Sequence, residues 1–230
     1  MNERDRVELQ ERYRTRWREY GYDVRTLGWN KDCQWVRFSA ALDGLRAVEY
    51  ATVMDVGCGF GDMLDFLHET GWRGQYVGVD VSPELLDEAA RRHAGNRDAT
   101  FICGDVQELE LPAVDAAIAL GTLNHRLHES NLACARRTLD AMWRVTRHVV
   151  VCDFLSTTSD PDRRRDDLFY ADPCDVFAVA AQYSRRVMLH HAYMPFEFQV
   201  KIWHGDGFDA AAPVFPPYDG LADASRRRLR

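Results

Sequence analysis

The sequence lacks any apolar run approaching the roughly 18 to 20 residues that a membrane-spanning helix needs. Its opening residues, MNERDRVELQERYRTRWREY, are charged where a signal peptide would be apolar. These two absences predict a cytoplasmic protein that does not act in the membrane. With 46% hydrophobic and 28% charged residues, the 230-residue chain falls in the globular range, and its length suits one main core.

Paired cysteines are also missing. The six cysteines lie far apart in the chain, without a Cys-x-x-Cys pair or a Cys/His cluster at zinc-ligand spacing. We therefore predict reduced, mostly buried thiols and no metal site.

The chain has fewer basic than acidic residues, and its formal net charge is −7. Tight binding to phosphate backbones depends on clustered Lys and Arg, so nucleic acid is disfavoured as a partner. Basic runs do occur at Arg163–Arg165 and Arg226–Arg230, and the first is interleaved with aspartates. We interpret both runs as solvated surface.

The first 48 residues are typical of a helical cap. Residues 5–20 carry Tyr13, Trp17 and Tyr20 near one helical face, and a second amphipathic helix is predicted over about 33–47. These aromatic side chains either pack in the core or form a lid that shields an apolar or cationic substrate.

From residue 51 short apolar runs alternate with helical stretches, which indicates a parallel α/β sheet. The predicted strands are 51–56, 75–79, 99–102, 114–120 and 147–153, and the predicted helices are 61–70, 83–93, 131–145 and 173–182. Two further β-rich runs, 186–193 and 196–203, have so short a connection that they predict an antiparallel pair at the sheet edge. We expect one domain over 49–204 and an extended or disordered tail over 205–230.

The most informative segment is VMDVGCGFGD at 53–62, in which a buried strand enters a glycine-rich turn and then a helix. Its spacing is G-x-G-x-G, whereas a dinucleotide site uses G-x-G-x-x-G and receives a pyrophosphate. Carboxylates flank the turn at Asp55 and Asp62. They would repel a pyrophosphate and favour an ammonium or sulfonium ligand.

Two more acids close predicted strands, Asp80 after YVGV and Asp105 after ICG. An acid at the end of the second strand is placed to accept both hydroxyls of a ribose. Asp105, one strand further out, is placed to reach an adenine amine. The fourth strand leads into GTLNH at 121–125, at the sheet's carboxyl end, where ligands of open α/β sheets bind.

Through VMDVGCGFGD, YVGVD, ICGD and VDAAIALGTLN, in that order, residues 28–204 resemble the class I S-adenosylmethionine-dependent methyltransferases. The resemblance implies a doubly wound, Rossmann-like, seven-stranded and mostly parallel sheet with one antiparallel strand near its C-terminal edge. It also implies three groups of cofactor-binding residues and a reactive side lined by backbone. They are Asp55, Gly57, Cys58 and Gly59 for the methionine end, Asp80 with Val81 for the ribose, Asp105 with Val106 for the adenine, and Leu120 with Gly121 for the reactive side.

A narrower resemblance is to bacterial small-molecule methyltransferases, through Gly28-Trp29 followed by Gln34, Arg37 and Phe38. It implies that Arg37 pairs with the cofactor's carboxylate, a task suited to a planar guanidinium. The alternative is that Arg37 lies on a solvated helix face.

Methyl transfer from a sulfonium requires alignment, exclusion of water and management of one proton. His125 is the first candidate for a general base, because it follows the fourth strand and titrates near neutral pH. The alternative is a structural or exposed histidine, and Asn124 either orients a substrate or caps a turn.

Further substrate-binding candidates are aromatic or titratable side chains in the cap and on the terminal strand pair. They are Tyr13, Tyr20, Trp29, His191 and Tyr193. Strand alternation predicts that His191 and Tyr193 share one face and that His190 lies on the other.

The amine-methylating signature of nucleic-acid enzymes, Asp or Asn followed by Pro-Pro and an aromatic, is absent after the fourth strand. Together with the acidic balance, this favours a small metabolite as methyl acceptor. The alternatives are a protein or RNA methyltransferase that docks through Arg226–Arg230, a noncatalytic cofactor-binding partner protein and, third, a nicotinamide oxidoreductase. The pattern does not indicate which atom accepts the methyl group or the oligomeric state.

Overall fold

A computed structural model describes residues 1–29, 33–45, 50–205 and 214–215. Its centre is a sheet in the order β3-β2-β1-β4-β5-β8-β7, with the short strand β6 beside β5. The strands are β1 (Thr52–Val56), β2 (Gln75–Asp80), β3 (Ala99–Cys103), β4 (Val114–Ala119), β5 (Thr146–Ser156), β6 (Tyr170–Ala171), β7 (Val187–Met194) and β8 (Glu197–Trp203).

The first five strands run parallel, and helices follow most of them. These helices are α4 (Asp62–Glu69), α5 (Pro83–Arg92), α6 (Asn131–Val145) and α7 (Pro173–Ala180). All bounds agree with the predicted ones to within three residues. The strand order reverses between β1 and β4, and this reversal opens the crevice in which open α/β sheets bind ligands.

The core covers both faces of the sheet. Along β4, Ala117 and Ala119 pack in one apolar cluster, while Ala116 and Ile118 pack in the other. Every residue of β4 is buried, as expected for a parallel strand with helices on both sides.

The terminal strands form the predicted antiparallel pair. β8 runs antiparallel to both β5 and β7, so among the described strands it alone opposes the sheet direction. The predicted seven-stranded, doubly wound sheet is therefore confirmed. The two-residue strand β6 is an addition, too short to show a periodicity in the sequence.

Before the sheet, the described residues form three helices: α1 (Glu3–Tyr20), α2 (Val24–Leu27) and α3 (Gln34–Leu42). Helix α1 is tied across the carboxyl ends of the strands by the Gln10 amide, which donates to the Val81 carbonyl at 2.7 Å, and by an Arg14–Glu84 ion pair at 2.6 Å. Helix α3 ends five residues before its predicted end, because Asp43 leaves the helical conformation with ψ at 130°.

No helix in these described ranges combines the length and apolarity needed to cross a membrane. Of the predicted tail, 206–213 and 216–230 lie outside the described residues.

Candidate active site

The glycine-rich turn after β1 is fixed to the neighbouring strand by its backbone. The amides of Gly57 and Cys58 both donate to the Val79 carbonyl, at 2.7 and 3.1 Å. Gly57 has φ +76°, and a Cβ added there would lie 2.0 Å from the Thr122 hydroxyl oxygen. The turn therefore requires glycine at this position, both for its left-handed backbone and for its approach to the loop after β4.

A first cavity, termed here the acidic cavity, opens at the carboxyl ends of β1 to β4. Three carboxylates line it, Asp55, Asp80 and Asp105, and no Lys or Arg side chain lines it in the described part of the chain. The structure brings ten of the eleven predicted cofactor residues together here: Asp55, Gly57, Cys58, Gly59, Asp80, Val81, Asp105, Val106, Leu120 and Gly121.

Each of the three carboxylates is held by a donor of the protein. Asp80 accepts from the amides of Gly59 at 2.9 Å and Ser82 at 2.8 Å, and burial raises its pKa. Asp105 accepts from the Gln107 amide at 2.9 Å and contacts the amino group of Met1.

Asp55 is buried at the end of β1. Burial and the nearby charge of Asp80 raise the pKa of Asp55 to about 7, although the Tyr76 hydroxyl donates to it at 2.6 Å. Its ionisation near neutral pH is therefore coupled to whatever cation enters the acidic cavity.

Asp62, expected beside the ligand, lies outside this cavity. Arg92 at 2.7 Å, the Tyr22 hydroxyl at 2.9 Å and the Gln34 amide at 3.0 Å all donate to its carboxylate. The negative charge of the acidic cavity consequently comes from the strand ends and not from the first turn of α4.

Arg37 also lies outside the acidic cavity. The alternative of a solvated helix face is wrong, because Arg37 is buried. Its Nε donates to both carboxylate oxygens of Glu197, at 2.7 and 2.8 Å, and its guanidinium stacks 4.5 Å from the Trp29 ring centroid. Asp153 lies 3.9 Å away, and burial with the adjacent Glu197 raises its pKa well above the usual range. Arg37, Glu197 and Asp153 therefore form one buried cluster between α3, β5 and β8.

A second cavity of about 500 Å³, termed here the basic cavity, adjoins the acidic one. Four residues line both cavities and form the wall between them. They are Leu27, Trp29, Gly121 and His125.

His125 lies in this shared wall. Its Nε2 is 2.9 Å from the Tyr13 hydroxyl, and its Nδ1 is buried with no partner among the described residues. Burial, with smaller contributions from Arg12 and Arg16, lowers the pKa of His125 to about 4. The imidazole is therefore neutral at physiological pH.

Asn124 stabilises the loop that carries His125. Its side-chain oxygen accepts from the Leu155 amide at 2.9 Å, and its backbone carbonyl accepts from Phe169 at 2.9 Å. Asn124 also lines the basic cavity.

The low pKa of His125 has a consequence for stability. Because the unfolded chain takes up the proton first, the contribution of His125 to stability is fully present above pH 6.5 and is lost as pH falls toward 4. Between pH 6.5 and 4 we expect the free energy of unfolding to fall less in His125→Asn than in the wild type. The difference between the two falls should be up to about 3 kcal/mol. Urea unfolding at several pH values measures the difference, and an imidazole NMR titration centred near 6.5 in the wild type would contradict the assignment.

The structure does not bring every substrate candidate to a cavity. Tyr13 lines the acidic cavity and Trp29 lines both, whereas Tyr20, His191 and Tyr193 line neither. The ring of Tyr20 lies under the Arg25 guanidinium, and the Tyr193 hydroxyl donates to Glu197 at 2.9 Å.

The predicted face alternation on β7 is wrong in part. The rings of His190 and Tyr193 are 5.3 Å apart, although alternation placed them on opposite faces. A register shift between His190 and Met194 opposite β8 interrupts the two-residue period, and such a bulge turns later side chains to another direction.

Sequence reasoning missed the segment 160–169, which closes the basic cavity. Leu168 forms a β-bridge with His125, and the Arg126 amide donates to the Asp167 carbonyl at 3.1 Å. Interleaved Arg and Asp read as solvated surface in the sequence, and no periodicity marked the return of this loop to the loop after β4.

Comparisons with known proteins agree with this architecture. Residues 53–157 match a methyltransferase domain family. A Mycobacterium tuberculosis (strain ATCC 25618 / H37Rv) protein provisionally named as a methyltransferase is 36% identical over 162 residues, which is 69% of this chain and 96% of that protein. A tRNA U34 carboxymethyltransferase of Shewanella halifaxensis is 32% identical over 118 residues, or 48% of this chain, and the match spans only 34% of that enzyme.

Among solved structures, the magnesium protoporphyrin IX methyltransferase of Synechocystis PCC 6803, with bound S-adenosylhomocysteine, superposes with a TM-score of 0.63. That match has 16% identity and covers 86% of this chain and 99% of the other. The chain belongs to the class I S-adenosylmethionine-dependent methyltransferases. S-adenosylmethionine is accordingly its cofactor.

Proposed function

We propose that this protein transfers a methyl group from S-adenosylmethionine to a small molecule bound in the basic cavity. The observation that carries the proposal is the shared wall, since His125 and Gly121 face both a cavity suited to the cofactor and a second cavity beside it. A volume of about 500 Å³ lies within the range typical of small-molecule sites.

The acidic cavity fits the charge of the cofactor. S-adenosylmethionine supplies an activated methyl group on a positively charged sulfur, and three carboxylates with no lining Lys or Arg side chain among the described residues favour such a ligand. We assign the methionine end to Asp55, Gly57, Cys58 and Gly59, the ribose to Asp80 with Val81, the adenine to Asp105 with Val106, and the reactive side to Leu120 with Gly121.

His125 is the group we assign to the substrate's proton. Its Nδ1 is unpartnered, so that atom accepts a proton when Nε2–H donates to the Tyr13 oxygen. Asn124 holds the loop in place through the Leu155 amide and thereby positions His125 against both cavities. A base with so low a pKa suits an acceptor that is itself acidic or already ionised.

Calorimetric titration of the full chain with S-adenosylmethionine, S-adenosylhomocysteine and NAD tests the cofactor assignment. For the first two we expect dissociation constants in the micromolar range, which correspond to a binding free energy of about −8 kcal/mol. We expect no measurable binding of NAD. Asp80→Asn, which keeps the size of the side chain, should weaken both adenosyl ligands. Tight NAD binding without a response to either adenosyl compound overturns the proposal.

Methyl transfer from S-[methyl-³H]adenosylmethionine into fractions of a cell extract tests the acceptor class. Label in the acid-soluble, low-molecular-weight fraction supports a small molecule. Label in precipitated protein or RNA supports the alternative that substrates are macromolecular. Binding of the cofactor with no label in any fraction supports a noncatalytic partner.

Asp55→Asn should have opposite effects on binding and stability. A folded-state pKa of about 7, above the reference of 3.8, means that stability is lost as pH rises through this interval, so the variant should unfold at a higher temperature than wild type at pH 8 and not at pH 4. Its affinity for S-adenosylhomocysteine should fall, because a negative charge next to the ligand's ammonium group is removed. Thermal unfolding at pH 4 and 8, and calorimetry at pH 6, 7 and 8, measure the two effects.

The wild-type affinity should also rise with pH through about 7, as Asp55 ionises, while the affinity of Asp55→Asn lacks this contribution. Parallel pH profiles for the two proteins would show that Asp55 is not the titrating group.

A further inference from the structure

The basic cavity carries an unusual excess of positive charge. Five guanidinium groups from three parts of the chain line it, and Asp160 is the one carboxylate that lines it among the described residues. The arginines are Arg12, Arg16, Arg37, Arg163 and Arg165.

Internal ion pairs neutralise only part of this charge. Arg37 is paired with Glu197. Arg12, at 2.6 Å, and Arg165, at 2.7 Å, share the single carboxylate of Asp167. Although burial acts in the opposite direction, these hydrogen bonds lower the pKa of Asp167 to about 2, so it stays ionised and is fully used by its two partners.

Arg16 is left without a carboxylate in the described residues. Its guanidinium donates one hydrogen bond to the described residues, from Nη1 to the Arg25 carbonyl at 3.4 Å. The charges of Arg12, Arg165 and Asp167 are close enough to affect it electrostatically. Burial and the neighbouring charge of Arg12 lower the pKa of Arg16, and Asp167, which acts in the opposite direction, is already paired with Arg12 and Arg165. In addition, the Nε atom of Arg12 is buried without a partner in the described part of the chain.

We infer that the basic cavity binds an acidic small molecule, whose carboxylate or phosphate group is held by Arg12 and Arg16 while its methyl-accepting atom lies against His125. This inference rests on the proposed function and names the substrate class of that same site. A planar guanidinium donates two parallel hydrogen bonds to either oxyanion, so the two chemistries share one recognition mode.

The position of the two arginines supports a role toward substrate rather than cofactor. Arg12 and Arg16 line the basic cavity and are absent from the lining of the acidic one. Trp29 and Leu27 lie in the wall between the cavities. After burial, the positive charges of Arg12 and Arg16 also lower the pKa of His125, which shows that both guanidinium groups lie near this ring.

A small acid fits better than a nucleic-acid backbone. The arginines line one concave site of about 500 Å³ instead of forming a stripe along the surface. The net charge of −7 opposes a long polyanion as well.

The test uses the full chain saturated with S-adenosylhomocysteine, titrated with 4-hydroxybenzoate, phenyl phosphate and the neutral 4-hydroxybenzamide. We expect one or both anions to bind about tenfold more tightly than the amide, or better. Comparison of the two anions identifies carboxylate or phosphate as the preferred group. The same titrations without the nucleotide test the anion site even if the nucleotide does not bind.

Arg16→Gln should weaken the anion about tenfold and leave the affinity for S-adenosylhomocysteine within about twofold of wild type. Arg16→Lys keeps the charge and loses the paired donors, so its affinity for the anion should lie between those of the wild type and Arg16→Gln. It replaces Arg16→Gln in the test if that variant does not fold. Arg18→Gln is the matched control, because Arg18 is an exposed arginine on the same helix and lines neither cavity.

Three results overturn the inference. The first is that the anions bind no more tightly than the amide, or that neither anion binds. The second is a loss of S-adenosylhomocysteine affinity in Arg16→Gln as large as the loss for the anion, which assigns Arg16 to the cofactor's carboxylate. The third is micromolar binding of a labelled RNA oligonucleotide that Arg16→Gln abolishes. Failure of the adenosyl ligands to bind the wild type refutes the proposed function separately.

Discussion

Gly57→Ala should destabilise the protein by about 2 to 5 kcal/mol and reduce the affinity for S-adenosylhomocysteine at least about tenfold. Two costs combine: a left-handed backbone at φ +76°, and a methyl group 2.0 Å from the Thr122 hydroxyl oxygen. Relief of the overlap requires the glycine-rich turn to move away from the loop after β4, which distorts the lining of the acidic cavity. Urea unfolding and calorimetry measure the two effects.

Gly21→Ala separates the two costs. Gly21 also has a positive φ of +61°, with ψ at −142°, but a Cβ there meets no atom within 4 Å, so we expect only a backbone cost of about 1 to 3 kcal/mol and an unchanged nucleotide affinity. Adding Thr122→Ala to Gly57→Ala should recover part of the lost stability. Equal destabilisation by the two glycine substitutions would show that the close approach to Thr122 is unimportant.

Arg37→Ala should lower the free energy of unfolding by about 3 to 5 kcal/mol. The substitution leaves Glu197 fully buried beside Asp153 with no cation in contact, and it removes the group stacked on Trp29. The pair is also one of several contacts between α3 and β8, beside the hydrogen bonds from Gln199 to the Arg37 carbonyl and from Lys201 to the Ala40 carbonyl. Chemical denaturation of the full chain measures the change.

Arg91→Ala is the control for Arg37→Ala. Arg91 also pairs with a glutamate, Glu88, but its side chain is 71% exposed, and such pairs contribute below about 1 kcal/mol. The double variant Arg37→Met/Glu197→Gln should be more stable than Arg37→Ala, since it leaves no unpaired charge in the core. A loss in Arg37→Ala no greater than that in Arg91→Ala would refute the role of the buried pair.

The sheet was predictable because its signals are local. Each parallel strand is a short apolar run followed by Gly or Asp, and Ser82 with Pro83 marks the start of α5 at the predicted residue. The same reasoning missed α2 and β6, which have four and two residues and show no measurable period.

The cofactor-binding residues could also be predicted from the sequence, because they lie at strand ends within continuous motifs. Residues whose partners are distant in the sequence could not be predicted. Arg37 meets Glu197 across 160 positions, and Arg12 meets Asp167 across 155. No local pattern connects such pairs, and for this reason the sequence indicated one ligand cavity while the structure contains two adjoining ones.

Helix α1 covers both of these cavities with alternate sides of its first four turns. Leu9 and Tyr13 face the acidic cavity, whereas Arg12 and Arg16 face the basic cavity. Because one helix carries all four side chains, a displacement of α1 away from the sheet would expose the acidic cavity and the basic cavity together. We therefore expect the spent nucleoside and the methylated acceptor to depart through a common opening event, so that the slower-leaving product sets the residence time of the other.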